Sequence, residues 1–203
     1  MIAILPVQRR WLAAVLCAAS LSAWGASYPG NTWLQVGPVI VFLGWWAFTG
    51  LKRWPLSNGA VAGICLFLLL HLFAARWTYS NVPYADWGRA IGLDINATFG
   101  FQRNMFDRLV HFSFGLLLTA PFAEMLRRYC RMSGWAAIVG AVTVVLAIGA
   151  LYEIFEWLLA VFMDPVSAEA YNGQQCDPFD SQKDMAGAFV GSLGAALFVK
   201  EPR

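Results

Sequence analysis

The sequence predicts an all-α, polytopic membrane helix bundle of about six transmembrane helices with both termini cytoplasmic. Three observations lead there. Hydrophobic residues make up 59% of the 203 positions and charged residues only 13%, whereas soluble domains carry roughly 25% charge and about 45–50% apolar residues. The apolar residues fall into six runs separated by polar connections. The basic residues cluster at alternate connections, the signature that sets orientation in a bilayer.

The first span, about 11–26, is short and preceded by Arg9-Arg10; Ala23-Trp24-Gly25-Ala26 also gives it a second reading as a cleavable signal segment. The second, about 33–50, and the third, about 59–79, are near the roughly 20 residues a bilayer core requires. Val82-Pro83 ends the third. The long 81–104 connection holds Ala85–Ile91, expected as a short interfacial helix anchored by Trp87. The fourth span, about 105–125, opens with Asp107 and His111. The fifth, about 135–160, closes with Glu153 and Glu156. The sixth, about 182–199, opens with Asp184. Connection 161–181 and the 81–104 segment are expected to cover the acidic end, since long loops frequently act as lids. No repeat or low-complexity tract divides the chain, so residues 1–203 read as one integral-membrane domain.

Arg9, Arg10, Lys52, Arg53, Arg127, Arg128, Arg131, Lys200 and Arg203 fall on one side of this topology, which is nine of the fourteen Lys and Arg. That side is cytoplasmic by the positive-inside rule. Ten of the twelve acids fall on the other. The net charge of +2 and the absence of basic–aromatic runs argue against nucleic acid as a partner; the partner the composition demands is the lipid bilayer. No GxSxG, P-loop or GxGxxG motif is present. Cys17 and Cys65 lie in spans, Cys130 and Cys176 in loops on opposite sides, so a disulfide framework is not expected. Cys176 sits beside the acids as a possible soft ligand or a bystander thiol.

Asp107, His111, Glu153, Glu156, Asp177, Asp180 and Asp184, with Arg108, reach a similar depth near the outer interface. Ionisable groups there are costly, and a cluster of them is a functional-site hypothesis by default. Asp177, Asp180, Asp184, Gly187, Gly191 and Gly194 form one helical stripe; Asp107, His111, Gly115 and Thr119 form a second; Gly149, Glu153 and Trp157, with Glu156 adjacent, form a third. Small residues at such spacing let membrane helices approach closely, so the acids face a chamber among three helices. Capping is the competing account: Asp107 at a helix start, Asp177-Pro178 as N-cap and first helical position, Ser181 with Asp184 as a capping-box variant. It fails for Glu153 and Glu156, which sit at a C-terminus where the helix dipole disfavours negative charge. Pairing with Arg103, Arg108 and Lys183 would make the cluster structural. As a cofactor site it suits a divalent metal, with His111, Glu153, Asp180 and Asp184 as the possible ligands; as a proton site, crowded carboxylates share protons. His71, in mid-span, reads as a packing residue or as a relay from the chamber. Arg76 is expected to snorkel, and Glu124 to pair with Arg127 or Arg128.

Arg103-Asn104-Met105-Phe106-Asp107-Arg108-Leu109-Val110-His111-Phe112 resembles the RNxxDRxxHF signature of the YjdF-like family of bacterial inner-membrane proteins, a domain of unknown function. Glu153-Ile154-Phe155-Glu156-Trp157 resembles its ExxEW element, and the Gly173–Met185 stretch its GxQGDxWDxQxDM element. The Tyr79-Ser80-Asn81-Val82-Pro83 edge fits as well, so the resemblance covers roughly 60–200. Cys176 stands where the family pattern has Gly, and Phe179 where it has Trp. A weaker resemblance joins Asp107–Phe112, Glu153 and Asp180–Gly191 to VanZ-like membrane proteins, which implies a cell-envelope role. Three functions follow as expectations: a protein acting on a polar or lipid-linked envelope ligand, perhaps with a divalent metal; a proton- or cation-coupled small transporter; and a structural or partner-binding membrane protein.

Overall fold

The computed structural model describes residues 5–199. Lys200 and Arg203, two of the basic residues behind the expected orientation, lie outside them. Among the described residues the secondary structure is entirely helical: α1 (Pro6–Ala23), α2 (Pro29–Trp45), α3 (Leu51–Arg53), α4 (Asn58–Ala75), α5 (Tyr84–Ala90), α6 (Ile95–Phe99), α7 (Phe106–Tyr129), α8 (Gly134–Phe162), α9 (Pro165–Asn172) and α10 (Asp180–Ala196). A π-helical stretch, Trp46–Gly50, joins α2 to α3.

Four helical segments have the length and apolar character to cross a membrane: Pro29–Arg53, Asn58–Ala75, Phe106–Tyr129 and Gly134–Phe162. They match the second to fifth expected spans. The first and sixth expected spans correspond to α1 (18 residues) and α10 (17 residues), which are not among these four. The third span stops at Ala75 rather than Tyr79, because the chain turns through 76–81 with Thr78 (φ 49°) and Tyr79 (φ 54°) in left-handed backbone. That conformation is unusual for any residue with a side chain and most of all for a β-branched one. The expected interfacial helix is α5, with Trp87 packed against Phe73 and Trp77 at ring-centroid separations of 6.2 and 5.7 Å.

The bundle has two unlike halves. α1, α2 and α4 bury an apolar core of residues such as Val15, Val36, Leu43, Val61, Cys65 and Leu72. α7 is the hub of the other half, packing on α4, α8 and α10. Its contact with α10 uses glycine in place of side-chain interdigitation. A Cβ on Gly115 would lie 1.9 Å from the Ala188 carbonyl oxygen, and one on Gly191 2.1 Å from the Phe112 carbonyl oxygen. Thr119 and Ser192 exchange a hydrogen bond of 2.8 Å across this seam. The third expected small-residue face behaves differently: Gly149 has open space where its Cβ would be, and Trp157 is 62% exposed on the outward side. The inward stripe of α8 runs instead through Val145, Gly149, Glu153 and Glu156.

Polar side chains fasten the ends. Glu124 accepts from the backbone N–H and Oγ of Ser57 (2.7 and 2.5 Å) and pairs with Arg128 at 3.0 Å, so α7 helps to satisfy the orphan N–H groups opening α4. Arg76 turns back to the last carbonyls of α1, donating to Leu21 and Trp24, where a cation complements the helix dipole.

Candidate functional site: a buried acid–histidine cluster

Asp107 and His111 are one turn apart on the first turns of α7. Glu153 arrives from α8 and Asp184 from α10. All four are buried, with 1–7% of their surface exposed. His111 Nε2 lies 3.5 Å from Asp107 Oδ1 and 3.8 Å from Glu153 Oε1. Asp107, His111 and Asp184 each offer a ligand atom within 4.8 Å of the others. Asp107 Oδ1, Glu153 Oε1 and Asp184 Oδ1 are buried without a hydrogen-bond partner. Uncompensated burial of such groups is expensive, and here three converge around one imidazole.

A second layer lies immediately outside and is fully paired. Asp180 Oδ1 accepts from Arg103 Nη1 at 2.5 Å and Arg108 Nη2 at 2.6 Å. Arg108 Nη1 also reaches Asp184 Oδ2 at 2.8 Å. Asp177 Oδ2 takes Arg108 at 3.2 Å and Arg103 at 3.5 Å, and both its oxygens accept from Lys183 Nζ. Asp180, expected among the metal ligands, is therefore engaged by two guanidinium groups, while Asp107 occupies the inner position. Glu156 is buried beside the cluster; its backbone carbonyl accepts from Asn172 Nδ2 at 2.9 Å and so tethers α9.

Capping explains less than its sequence signals suggested. The N-cap residues of α7 and α10 make no side-chain bond, and the first N–H of α7, that of Phe106, is accepted by Asn104 Oδ1 at 3.0 Å and not by Asp107. Asp177 makes a local turn by accepting from Phe179 N–H at 3.1 Å, but α10 begins only at Asp180. Arg103 and Asn104 are scaffold. Asn104 exchanges two hydrogen bonds with the Gln175 side chain (2.9 and 3.2 Å) and donates to the Val82 carbonyl at 2.8 Å. The Gly173 carbonyl accepts from Arg103 Nη2, Ser80 Oγ and Gln175 Nε2 at 3.0–3.3 Å. Gly173 itself has φ 61°, and a Cβ there would meet Ser80 Oγ at 2.1 Å. The four stretches that carry the family resemblance thus interlock.

Gln175, Ser80 and Tyr79 were not singled out as site residues, though each lies in one of those stretches. His71 makes the contacts of a packed residue: Nε2 meets the Gln35 carbonyl oxygen at 3.3 Å, and Nδ1 pairs with the Tyr79 hydroxyl. A cavity of about 190 Å³ separates it from His111, lined by Phe67, Val110, Phe114, Gly149 and Tyr152 between them. Among the described residues all four cysteines are free thiols, and Cys65 is buried. Cys176 has φ 63°, a left-handed conformation that costs a residue with a Cβ and suits glycine, which accounts for the Gly of the family pattern.

Lys183 and the Phe179 amide hold the Asp177 carboxyl below its ordinary range. A depressed folded-state value contributes stability above the unfolded value, about 3.9 for Asp. That contribution is lost as pH falls through the lower folded value. The protection factors of the 173–179 amides, which are exchange rates corrected for the intrinsic pH dependence, are therefore expected to fall on acidification from about 3.9 downward. In Asp177→Asn the protection factors should be low on both sides of that window.

The helices and the cluster define a polytopic helical membrane protein with an ionisable centre buried under a short helical cover. Residues 7–200 match the family described as "Predicted membrane protein (DUF2238)", and the chain belongs to that family. It is 32% identical over 170 residues to the "Inner membrane protein YjdF" of Escherichia coli (strain K12), covering 83% of this chain and 77% of the relative. No solved structure matches the chain.

Proposed function

We propose that this chain is a six-span bacterial inner-membrane protein, both termini cytoplasmic, that binds a divalent cation at its periplasmic face through Asp107, His111 and Asp184, with Glu153 completing the set. The observation that carries this reading is the trio of buried carboxylate oxygens without a hydrogen bond, two of which face His111 Nε2 at 3.5 and 3.8 Å. Ligand atoms about 2.0–2.2 Å from a tetrahedral ion stand about 3.3–3.6 Å apart. The 3.5 and 3.8 Å separations to His111 Nε2 are close to that, and Asp184, whose ligand atom lies within 4.8 Å of those of Asp107 and His111, moves inward to join them. Mixed imidazole and carboxylate donors suit zinc, manganese or a similar ion. The outer arginines then orient Asp184 and offset the remaining negative charge, as supporting groups do around metal ligands. The positive-inside distribution of Lys and Arg supports the periplasmic side. The name of the Escherichia coli relative supports the inner membrane, and an envelope ligand, polar or lipid-linked, is the substrate class that this face meets.

Protein purified in detergent without chelator after metal-replete growth is expected to carry near-stoichiometric divalent metal by elemental analysis. The Asp107→Asn/Asp184→Asn variant is expected to lose it while keeping its helical circular dichroism. Metal-free wild type would sink the reading. It would favour proton or cation coupling, for which the histidines at the two ends of the 190 Å³ cavity are the supporting observation.

A further inference from the structure

Away from the acid–histidine cluster, a larger cleft of about 410 Å³ opens between α2 and α8, which have no extensive packing with each other among the described residues. Its volume falls within the roughly 300–1,000 Å³ of ligand pockets. Leu34 and Phe42 of α2, Phe67 and His71 of α4 and Phe155 of α8 line it, and Tyr171 of α9 stands at one end. Leu34 and Phe155 are 39% and 36% exposed at its rim. α2, α4 and α8 all belong to segments able to cross a membrane, so the medium at this opening is lipid.

Four residues of the lining are polar, and three of them are partnered: His71 meets the Gln35 carbonyl oxygen and the Tyr79 hydroxyl, and the Tyr152 and Tyr171 hydroxyls meet at 3.4 Å, which leaves the Gln35 side chain. Gln35 is only 3% exposed, and both its Nε2 and its Oε1 lack a partner. A carboxamide buried among apolar groups costs free energy unless something bonds it. It lies six residues into α2, about 9 Å along the axis from Pro29. That end is held to α9 by Asn31 Nδ2 donating to the Ser167 carbonyl at 3.0 Å, so Gln35 lies toward the side of the bundle that carries α9 and the acid cluster. An occupant must therefore be apolar over most of its length and carry a hydrogen-bonding group near the boundary of the hydrocarbon.

We infer that the cleft is a binding site for a membrane glycerophospholipid, one acyl chain lying against Phe42, Phe67 and Phe155 and its ester group hydrogen-bonded to the Gln35 carboxamide. The ester oxygens accept from Nε2. Phe67, His71 and Tyr152 are walls shared by this cleft and the 190 Å³ cavity beside His111, so the lipid lies one side-chain layer from the acid–histidine cluster. The assignment stands on the cleft and on Gln35, independently of whether a cation binds.

The test is photolabelling in phosphatidylethanolamine–phosphatidylglycerol vesicles containing trace phosphatidylglycerol with a mid-chain diazirine, with labelled residues mapped by mass spectrometry. Label is expected at Leu34, Phe42, Phe67 and Phe155 at least fivefold above the outward face of α8 around Leu151, which is 65% exposed. Leu34→Trp, which narrows the mouth, is expected to cut cleft labelling at least fivefold, and Gln35→Leu about threefold; Leu151→Trp should leave it unchanged. Labelling of wild-type cleft and outward face to equal extents would overturn the assignment, as would a Leu34 site blocked by cross-linking to a second copy of the chain. The wild-type comparison decides even if a variant does not fold. Metal content, measured on the same vesicles, separates failure here from failure of the cation reading.

Discussion

Asp180→Ala is expected to destabilise the protein by about 3–5 kcal/mol, the usual consequence of removing one partner from a buried ion pair. Asp180 is 5% exposed, and one of its oxygens receives both Arg103 and Arg108. Without it two guanidinium groups remain in a site where only 13% of each side chain is exposed, with Asp177 and Asp184 as their remaining counter-charges. Lys183→Ala is the matched control. It removes a contact to Asp177 as short, at 2.7 Å, but from a lysine 55% exposed, where solvent screening leaves such pairs worth about 0–1 kcal/mol. Thermal unfolding in detergent followed by circular dichroism measures both. Equal effects would mean that the ion-pair layer is not part of what holds α7, α10 and the cover together.

Gly191→Val is expected to be as damaging, by a route that involves no charge. The 2.1 Å approach of a Cβ to the Phe112 carbonyl oxygen is a clash with backbone, which no rotamer change relieves. Overpacking costs about 1–3 kcal/mol and occasionally more, and with helix backbone on both sides of the contact the upper end applies. Gly194→Val serves as comparison, since its Cβ would meet only a Leu116 methyl at 3.9 Å. The Thr119–Ser192 hydrogen bond should be lost along with the seam, and protease protection of α10 in membranes would report the separation. If Gly191→Val unfolded no more readily than Gly194→Val, α7 and α10 would not be locked at this contact.

Where the sequence was informative, a period or a cost made it so. The 3.6-residue repeat put Asp107 and His111 on one face of α7 and aligned Asp184 with Gly191 on α10, and the structure brings those residues together. Charge near hydrocarbon is costly enough that Glu153 and Glu156 could be read as buried, and they are. The division of labour among the acids was not legible. Asp177, Asp180 and Asp184 share a stripe, and which of them faces arginine and which faces His111 depends on a rotation of α10 that periodicity leaves open. Trp157 misled for the same reason: it shares spacing with Gly149 and Glu153 yet turns outward, because the inward face of α8 drifts toward Glu156. The connection that covers the cluster has no period at all. Its order comes from side chains bonding to single backbone carbonyls, Asn104 to Val82 and Arg103 to Gly173, which only three-dimensional coordinates reveal.

The Gly173 carbonyl has a kinetic consequence. Ser80, Arg103 and Gln175 converge on that one oxygen from the 76–81 turn, from the approach to α7 and from the cover itself. Lifting the cover away from α7 and the 76–81 turn has to break the Ser80 and Arg103 bonds to that oxygen, while the Gln175 bond travels with the cover. Anything that reaches the buried imidazole by that route waits for those bonds to break, an event within the protein whose frequency does not rise with solute concentration.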